Sequence, residues 1–203
     1  MAIVVIGGHS RSVGKTSVVS GLIAALPQFH WTALKITQYG HGICSANGQV
    51  CDCACADHKW AISEERDRSG KSDTSRFLLA GAESALWVRT EQGRLAEAMP
   101  SLRNRIAGKH NVICESNSVL KFIRPDIYLT VLDSGTADFK ASAREFLDFA
   151  DALIMQERAE GAAAWTNISL KEDRGRPVFR IRPPHYVTPE IVEFVRSRLG
   201  STH

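Results

Sequence analysis

The chain has 203 residues and a formal net charge of +3, with 44% of its residues hydrophobic and 23% charged. This size and balance fit one globular domain that carries an insertion, and they do not indicate a protein that binds nucleic acid or an anionic membrane surface. The apolar N-terminal run stops at Gly7 and Gly8, too soon for a signal peptide or a membrane span. We therefore expect a cytoplasmic protein with neither a membrane nor a nucleic acid as partner.

Strands and helices are predicted to alternate along the chain. Apolar, β-branched runs indicate strands that are buried on both faces, and apolar residues at helical spacing indicate the helices between them. In chain order we expect a strand at 2–6, a helix at 16–26, a strand at 31–36, a helix from 72 or 73 to 81, a strand at 85–88, a helix at 91–107 that Pro100 can divide, strands at 111–114 and 127–132, a helix at 139–150, strands at 152–155 and 178–181, and a helix at 189–199. This order predicts an α/β fold with a doubly wound, mostly parallel sheet, in a single domain over residues 1–203.

The strongest motif is Gly-Lys-Thr at residues 14–16, which lies between the first strand and the first helix. In this setting the backbone N–H groups of a loop and a helix N-terminus surround a phosphate. Gly14 lets the backbone approach, Lys15 places its ammonium on the β- and γ-phosphates, and Thr16 offers its hydroxyl to Mg²⁺. The sequence thus predicts a P-loop NTPase that binds GTP or ATP through Gly8, His9, Ser10, Arg11, Ser12, Val13, Gly14, Lys15, Thr16 and Ser17.

Two residues of this loop are unusual. His9 stands where the usual spacing has glycine, and the glycines come one and two residues earlier. We expect the loop to tolerate this change, because several P-loop families vary at that position. Arg11 is an additional cation, and it is equally consistent with a ligand of a phosphate or second anion and with a solvated loop residue.

Glu115 is the second candidate for chemistry. It follows the apolar run 112–114, so we place it at the carboxyl end of a strand, where open α/β sheets bind their ligands. A carboxylate there can hold Mg²⁺ or orient an attacking water, which makes Lys15 and Glu115 the predicted catalytic pair. The alternative is a helix-capping or surface carboxylate.

A cysteine-rich insertion is predicted at residues 38–70. Its spacing is Cys44-x6-Cys51-x-Cys53-x-Cys55-x2-His58, and thiolates with imidazole are the ligands that Zn²⁺ prefers. Four cysteines this close together in a reducing compartment favour metal binding over disulfides. Another soft metal or an iron–sulfur cluster fits the same donors, and the remaining alternative is a flexible loop with free thiols.

Over residues 2–133 the sequence resembles the molybdopterin-guanine dinucleotide biosynthesis adapter protein B family, in the P-loop class that includes dethiobiotin synthetase and metal-insertion GTPases. The phosphate loop carries this resemblance together with Leu34-Lys35-Ile36-Thr37, the segments 70–76 and 80–82, and 112–116. The chain departs from the family at Ile36, where the family has histidine, and at Ser116, where it has glycine. The cysteine-rich stretch replaces a short loop of the family that bears histidine and aspartate.

The resemblance implies a GTP-binding adapter that assists the attachment of a nucleotide to molybdopterin. It implies that Lys15 and Thr16 hold phosphate and Mg²⁺, that Glu115 acts near the metal, and that Lys35, Asp73 and Arg76 line a substrate cleft. It also implies a partner nucleotidyltransferase and a homodimer. The sequence shows no evident arginine finger or activating glutamine, so we expect slow NTP turnover by the chain alone.

Two other functions remain open from the sequence. One is an ATP-dependent ligase or kinase that resembles dethiobiotin synthetase and holds its substrate along residues 66–76. The other is a nucleotide-gated metallochaperone or metal sensor that uses the cysteine loop.

Overall fold

The computed structural model describes residues 1–40, 59–157, 165 and 175–200. In this part of the chain, strands and helices alternate as predicted. The strands are β1 (Ala2–Gly8), β2 (Trp31–Tyr39), β3 (Trp60–Glu64), β4 (Ser84–Glu91), β5 (Asn111–Glu115), β6 (Ile127–Asp133), β7 (Ala152–Gln156) and β8 (Val178–Ile181). The helices are α1 (Lys15–Ala25), α2 (Asp73–Leu79), α3 (Leu95–Ile106), α4 (Ala141–Phe146) and α5 (Pro189–Gly200), with short 3₁₀ turns at Pro27–Phe29, Ser118–Lys121 and Leu147–Phe149.

All eight strands form one sheet in the order β3-β4-β2-β5-β1-β6-β7-β8. Every neighbouring pair is parallel except β3 and β4, so the fold is α/β with a mostly parallel sheet. β1 lies between β5 and β6, with Ile6 opposite both Glu115 and Leu129. The carboxyl ends of these three strands therefore meet at one edge, where the loop from β1 to α1 also lies.

Each face of the sheet has its own hydrophobic core. On one face, α1, α2 and α5 bury apolar side chains such as Leu22, Phe77 and Ile191 against the inner strands. On the other face, α3 contributes Leu95, Met99 and other residues to a second cluster. Helices on both faces keep the parallel strands out of water, as a doubly wound sheet requires.

The strand β3 was not predicted. It is a short edge strand whose five residues are all intermediate or exposed, so it lacks the continuous apolar run that marks the inner strands. β3 is held in the sheet by antiparallel pairing with β4, in which Ile62 lies opposite Val88. This pairing could not be predicted from the side-chain pattern of β3 alone. β3 falls within the predicted insertion at 38–70, while the four clustered cysteines lie outside the described residues.

Two helix predictions need correction. Pro100 does not divide its helix, because α3 continues through it while Leu95, Met99 and Leu102 anchor the buried side. The helix expected at 139–150 is shorter: α4 ends at Phe146, and the turn Leu147–Phe149 is 3₁₀.

Candidate nucleotide-phosphate site

The loop from β1 to α1 has the backbone shape that surrounds an anion. Ser12 and Gly14 both have positive φ, 57° and 85°, and Gly14 is the N-cap of α1. Among the described residues no side chain caps this helix, and its first turn contains no acidic residue. The first N–H groups of a helix lack partners within the helix and carry the positive end of its dipole. They are therefore available to an oxyanion at the mouth of the loop.

Glycine is required at residue 14 for two reasons. Its left-handed φ is unfavourable for other residues. In addition, a Cβ built on Gly14 would overlap the ring of Tyr186, which comes from the segment before α5. The glycine that the motif predicts thus allows a distant aromatic ring to pack on the loop.

His9 fills the place of the missing glycine without strain. Among the described residues, the non-glycine positions with positive φ are Ser12 and His30, so His9 needs no special backbone conformation. Its ring is buried, 5.1 Å from the Phe139 ring and 5.0 Å from the Trp165 ring between centroids. The imidazole therefore points into the protein, below the loop.

Every polar group of His9 is engaged. The Asp133 N–H donates to Nε2 at 3.0 Å, so the ring proton lies on Nδ1, which donates to the Asp138 carbonyl at 2.8 Å. Its backbone N–H donates to Val131 and its carbonyl accepts from the Lys140 N–H. Burial lowers the pKa of His9, which keeps the ring neutral. These contacts support the loop from within the protein, and the predicted role of His9 in nucleotide binding stays a prediction.

Two side chains that were not predicted to contact the phosphate loop also hold it. The Asn117 amide forms two hydrogen bonds with Gly8, accepting from its N–H at 2.9 Å and donating to its carbonyl at 2.8 Å. The Gln156 amide donates to the Val13 carbonyl at 2.7 Å. Both residues lie just after or at the end of a strand, β5 and β7, and this placement was the one signal in the sequence that pointed to them.

Lys15 reaches back over the loop. Its Nζ donates to the Ser10 carbonyl at 2.7 Å, and the Ser10 hydroxyl donates to the Arg11 carbonyl at 2.8 Å. Burial lowers the pKa of Lys15 to about 8; Glu115 acts in the opposite direction, and the charges of Lys140 and Lys35 lower it further. An ammonium held close to other cations gains from a nearby anion, because the anion offsets both burial and repulsion.

A chain of ion pairs lies on the β2 side of the loop. The Thr16 hydroxyl donates to one oxygen of Glu115 at 2.7 Å, and the Lys35 ammonium lies 2.5 Å from the other oxygen. Lys35 also lies 2.8 Å from Asp73, the first residue of α2. Burial alone would lower the pKa of Lys35, but Glu115 and Asp73 outweigh burial and raise it. Glu115 is only 3% exposed, so its two partners hold a buried charge in place.

The arrangement follows from the local sequence. Lys35 is opposite Glu115 in the pairing of β2 with β5, so their side chains leave the same face of the sheet. Ser72 and Ser75 form a capping box that fixes the start of α2 and presents Asp73. Arg76, one turn later, donates to the Ser17 hydroxyl at 3.1 Å.

The structure therefore brings together most of the residues singled out in the sequence. Lys15, Thr16, Glu115, Lys35 and Asp73 converge at the carboxyl edge of the sheet. Arg76 lies one contact away, on Ser17. Arg11 and Ser12 are exposed, whereas Val13 is buried. Cys44, Cys51, Cys53, Cys55 and His58 lie outside the described residues.

Within the described ranges, no group of three or more His, Cys, Asp or Glu side chains is arranged to hold a metal ion. Thr16 and Glu115 supply a hydroxyl and a carboxylate, the hard oxygen donors that Mg²⁺ accepts alongside phosphate oxygens and water.

A separate groove lies beside α1. It has a volume of about 960 Å³ and runs along the outer side of α1, between Arg76, Tyr186 and Arg196. Lys15 and Glu115 are not part of its lining. The groove adjoins the loop at Ser17 and Tyr186, and it is separate from the polar site described above.

None of the helices in the described residues has the length and apolar character that a membrane crossing requires.

Comparisons with known proteins give structural neighbours only. No protein-family model matches the sequence, and no curated protein matches it. The chain is similar to Aquifex aeolicus LpxK, solved with ATP, at 15% identity and a TM-score of 0.49, over 89% of this chain and 53% of LpxK. It is similar to Helicobacter pylori HypB, solved with nickel, at 15% identity and a TM-score of 0.48, over 98% of this chain and 86% of HypB. It is similar to Bacillus subtilis MobB at 17% identity and a TM-score of 0.37, over 98% of both chains. The chain spans about half the length of LpxK.

Proposed function

We propose that the chain binds the Mg²⁺ complex of a nucleoside triphosphate through the loop at residues 8–17 and hydrolyses it slowly. The observation that carries this proposal is the convergence of Lys15, Thr16 and Glu115 at the N-terminus of α1. The loop amides and the helix dipole suit the β-phosphate, and Lys15 suits the β- and γ-phosphates. In this account Mg²⁺ lies against Thr16 and Glu115 and offsets the charge of the phosphates.

The residues of this chain have distinct tasks. Lys15 now donates to a carbonyl of its own loop, and it turns to the phosphates when they bind. Glu115 keeps the Thr16 hydroxyl oriented and the Lys35 ammonium charged. Lys35 and Asp73 border the open side of the site, where an attacking water or a second substrate enters.

The finer proposal is an adapter of molybdenum-cofactor biosynthesis that assists a partner nucleotidyltransferase. It rests on the sequence resemblance over residues 2–133. One feature of the fold supports it: Lys35, Asp73 and Glu115, from three separate segments that carry the resemblance, meet in one ion-paired chain. The chain added to a molybdopterin nucleotidyltransferase should then raise the yield of the dinucleotide.

Turnover tests the proposal directly. Phosphate release from MgGTP and MgATP should be slow and should disappear in Lys15→Ala, while the exposed-surface variant Lys121→Gln retains it. Release that continues in Lys15→Ala contradicts the proposal. Stoichiometric transfer of phosphate to a small acid or amine favours the ligase or kinase alternative. Nucleotide-dependent loss of a metal that co-purifies favours the metallochaperone alternative.

A further inference from the structure

Lys140 is a second lysine at the phosphate loop that the motif does not explain. Its backbone N–H donates to the His9 carbonyl at 2.8 Å, which ties it to the first residue after β1. It therefore lies on the β6 side of the loop, opposite the Glu115–Lys35 pair. Its side chain is half-buried.

The charge of Lys140 is within electrostatic reach of the other charges of the site. Burial lowers the pKa of Lys140, and the cations Arg11 and Lys35 lower it further, while Asp138 and Glu115 act in the opposite direction. The charge of Lys140 in turn acts on Lys15. The backbone bond to His9, together with these interactions, places Lys140 beside the phosphate loop rather than on a remote surface.

Lys140 and Arg11 differ from Lys35 in the contacts that their side chains make. In the described part of the chain, neither side chain makes an ion pair or a hydrogen bond, whereas Lys35 contacts two carboxylates. Lys15 likewise bonds to a carbonyl and not to a carboxylate. Among the described residues, these three cations at the loop have no carboxylate in contact, an arrangement that an oxyanion stabilises.

The position of these cations indicates which phosphate group of a nucleotide they would contact. The β-phosphate belongs within the loop, among the amide groups and Lys15. The γ-phosphate projects outward from the loop, between the proposed magnesium position at Thr16 and Glu115 and the cations on the β6 side. We propose that Lys140, assisted by Arg11, forms a γ-phosphate subsite on the β6 side of the loop, by which the chain distinguishes nucleoside triphosphate from diphosphate. This inference rests on the proposed function.

Substitution of Lys140 should lower the affinity for a nucleoside triphosphate but not the affinity for the diphosphate. Lys140→Gln keeps the backbone bond to His9, so the loop should remain folded. A charge-assisted contact to phosphate is worth about 1.5–3 kcal/mol, so the affinity for a non-hydrolysable β,γ-imido triphosphate should fall roughly tenfold or more. The affinity for the diphosphate should stay within about twofold of wild type, because its phosphates do not reach Lys140. Calorimetric titration with Mg²⁺ measures both affinities.

Three further variants complete the test. Arg11→Gln should weaken triphosphate binding less than Lys140→Gln, and Lys140→Arg should restore part of the loss. Lys121→Gln removes an exposed lysine that pairs with Glu145, and it should leave both affinities unchanged. Equal losses for triphosphate and diphosphate in Lys140→Gln, or no loss at all, overturn the inference while the proposed function stands. Failure of the wild type to bind either nucleotide overturns both.

Discussion

The two sides of the phosphate loop are built in opposite ways. On the β2 side, Glu115 and Asp73 neutralise Lys35, and the Thr16 hydroxyl is already oriented. On the β6 side, Lys140 and Arg11 gather close to Lys15, and within the described residues none of the three contacts a carboxylate. The charges of the first side are already paired within the protein, so this side needs no anion. The second side holds cations whose charge an anion would offset.

This difference gives each side of the site its own task. Oxygen donors in fixed positions favour a hard cation, and lysines with lowered pKa favour phosphate.

Glu115→Gln should have the largest effect, since it breaks a buried ion pair. Loss of one partner of such a pair costs about 3 kcal/mol, so urea unfolding should show a loss of that order. Mg²⁺ should also cease to improve nucleotide affinity in this variant. The matched control is Glu97→Gln, an exposed carboxylate paired with Arg94, which should change stability by less than about 0.5 kcal/mol. A Glu115→Gln protein as stable as wild type, and still dependent on Mg²⁺, contradicts the role assigned to this side.

His9→Gly restores the glycine of the usual spacing, yet it should destabilise the protein. The substitution removes two hydrogen bonds and a buried ring that packs between Phe139 and Trp165. The expected loss is about 2 kcal/mol. His30→Asn is the control, because His30 is half-exposed and has a positive φ that asparagine accepts. If His9→Gly were more stable than wild type, the support assigned to His9 would be wrong.

The pH dependence of stability reports the charge on Lys15. Its pKa is about 8 in the folded protein and 10.5 in the unfolded chain. Between these values the unfolded chain holds more protons, so the stability of the nucleotide-free protein should rise with pH. Relative to Lys15→Ala, the free energy of unfolding should increase by roughly 1 kcal/mol from pH 7.5 to pH 9. The difference between the two proteins isolates this lysine, and a flat difference would show that Lys15 is not perturbed.

The sequence predicted the fold well where a local pattern decides the structure. Apolar strand runs marked the parallel strands, and the Gly-Lys-Thr motif marked the loop. The end of an apolar run marked Glu115 at a strand terminus. These features depend on neighbouring residues, and the parallel topology then brings strand ends together at one edge.

Contacts across long separations were not predictable in the same way. Asn117 forms a hydrogen bond with Gly8, which is 109 residues away in the sequence, and Gln156 forms one with Val13, which is 143 residues away. Lys140 is a lysine in a polar segment, a pattern typical of a solvated surface. The position of Tyr186 likewise depends on tertiary packing, and that of β3 depends on strand pairing; neither can be predicted from a single sequence. The proposed metal site at the cysteines stays a prediction.

The most direct test of the account is calorimetric titration of MgGTP and MgATP into the wild type and into Lys15→Ala. The account predicts that the wild type binds at least one of them at about one site per chain, and that Lys15→Ala loses this binding while it remains folded. A strong preference for GTP favours the adapter proposal, and a preference for ATP favours the ligase or metallochaperone alternative. A wild-type protein that binds neither nucleotide, or a Lys15→Ala protein that binds as well as wild type, would contradict the assignment of this loop as a nucleotide site.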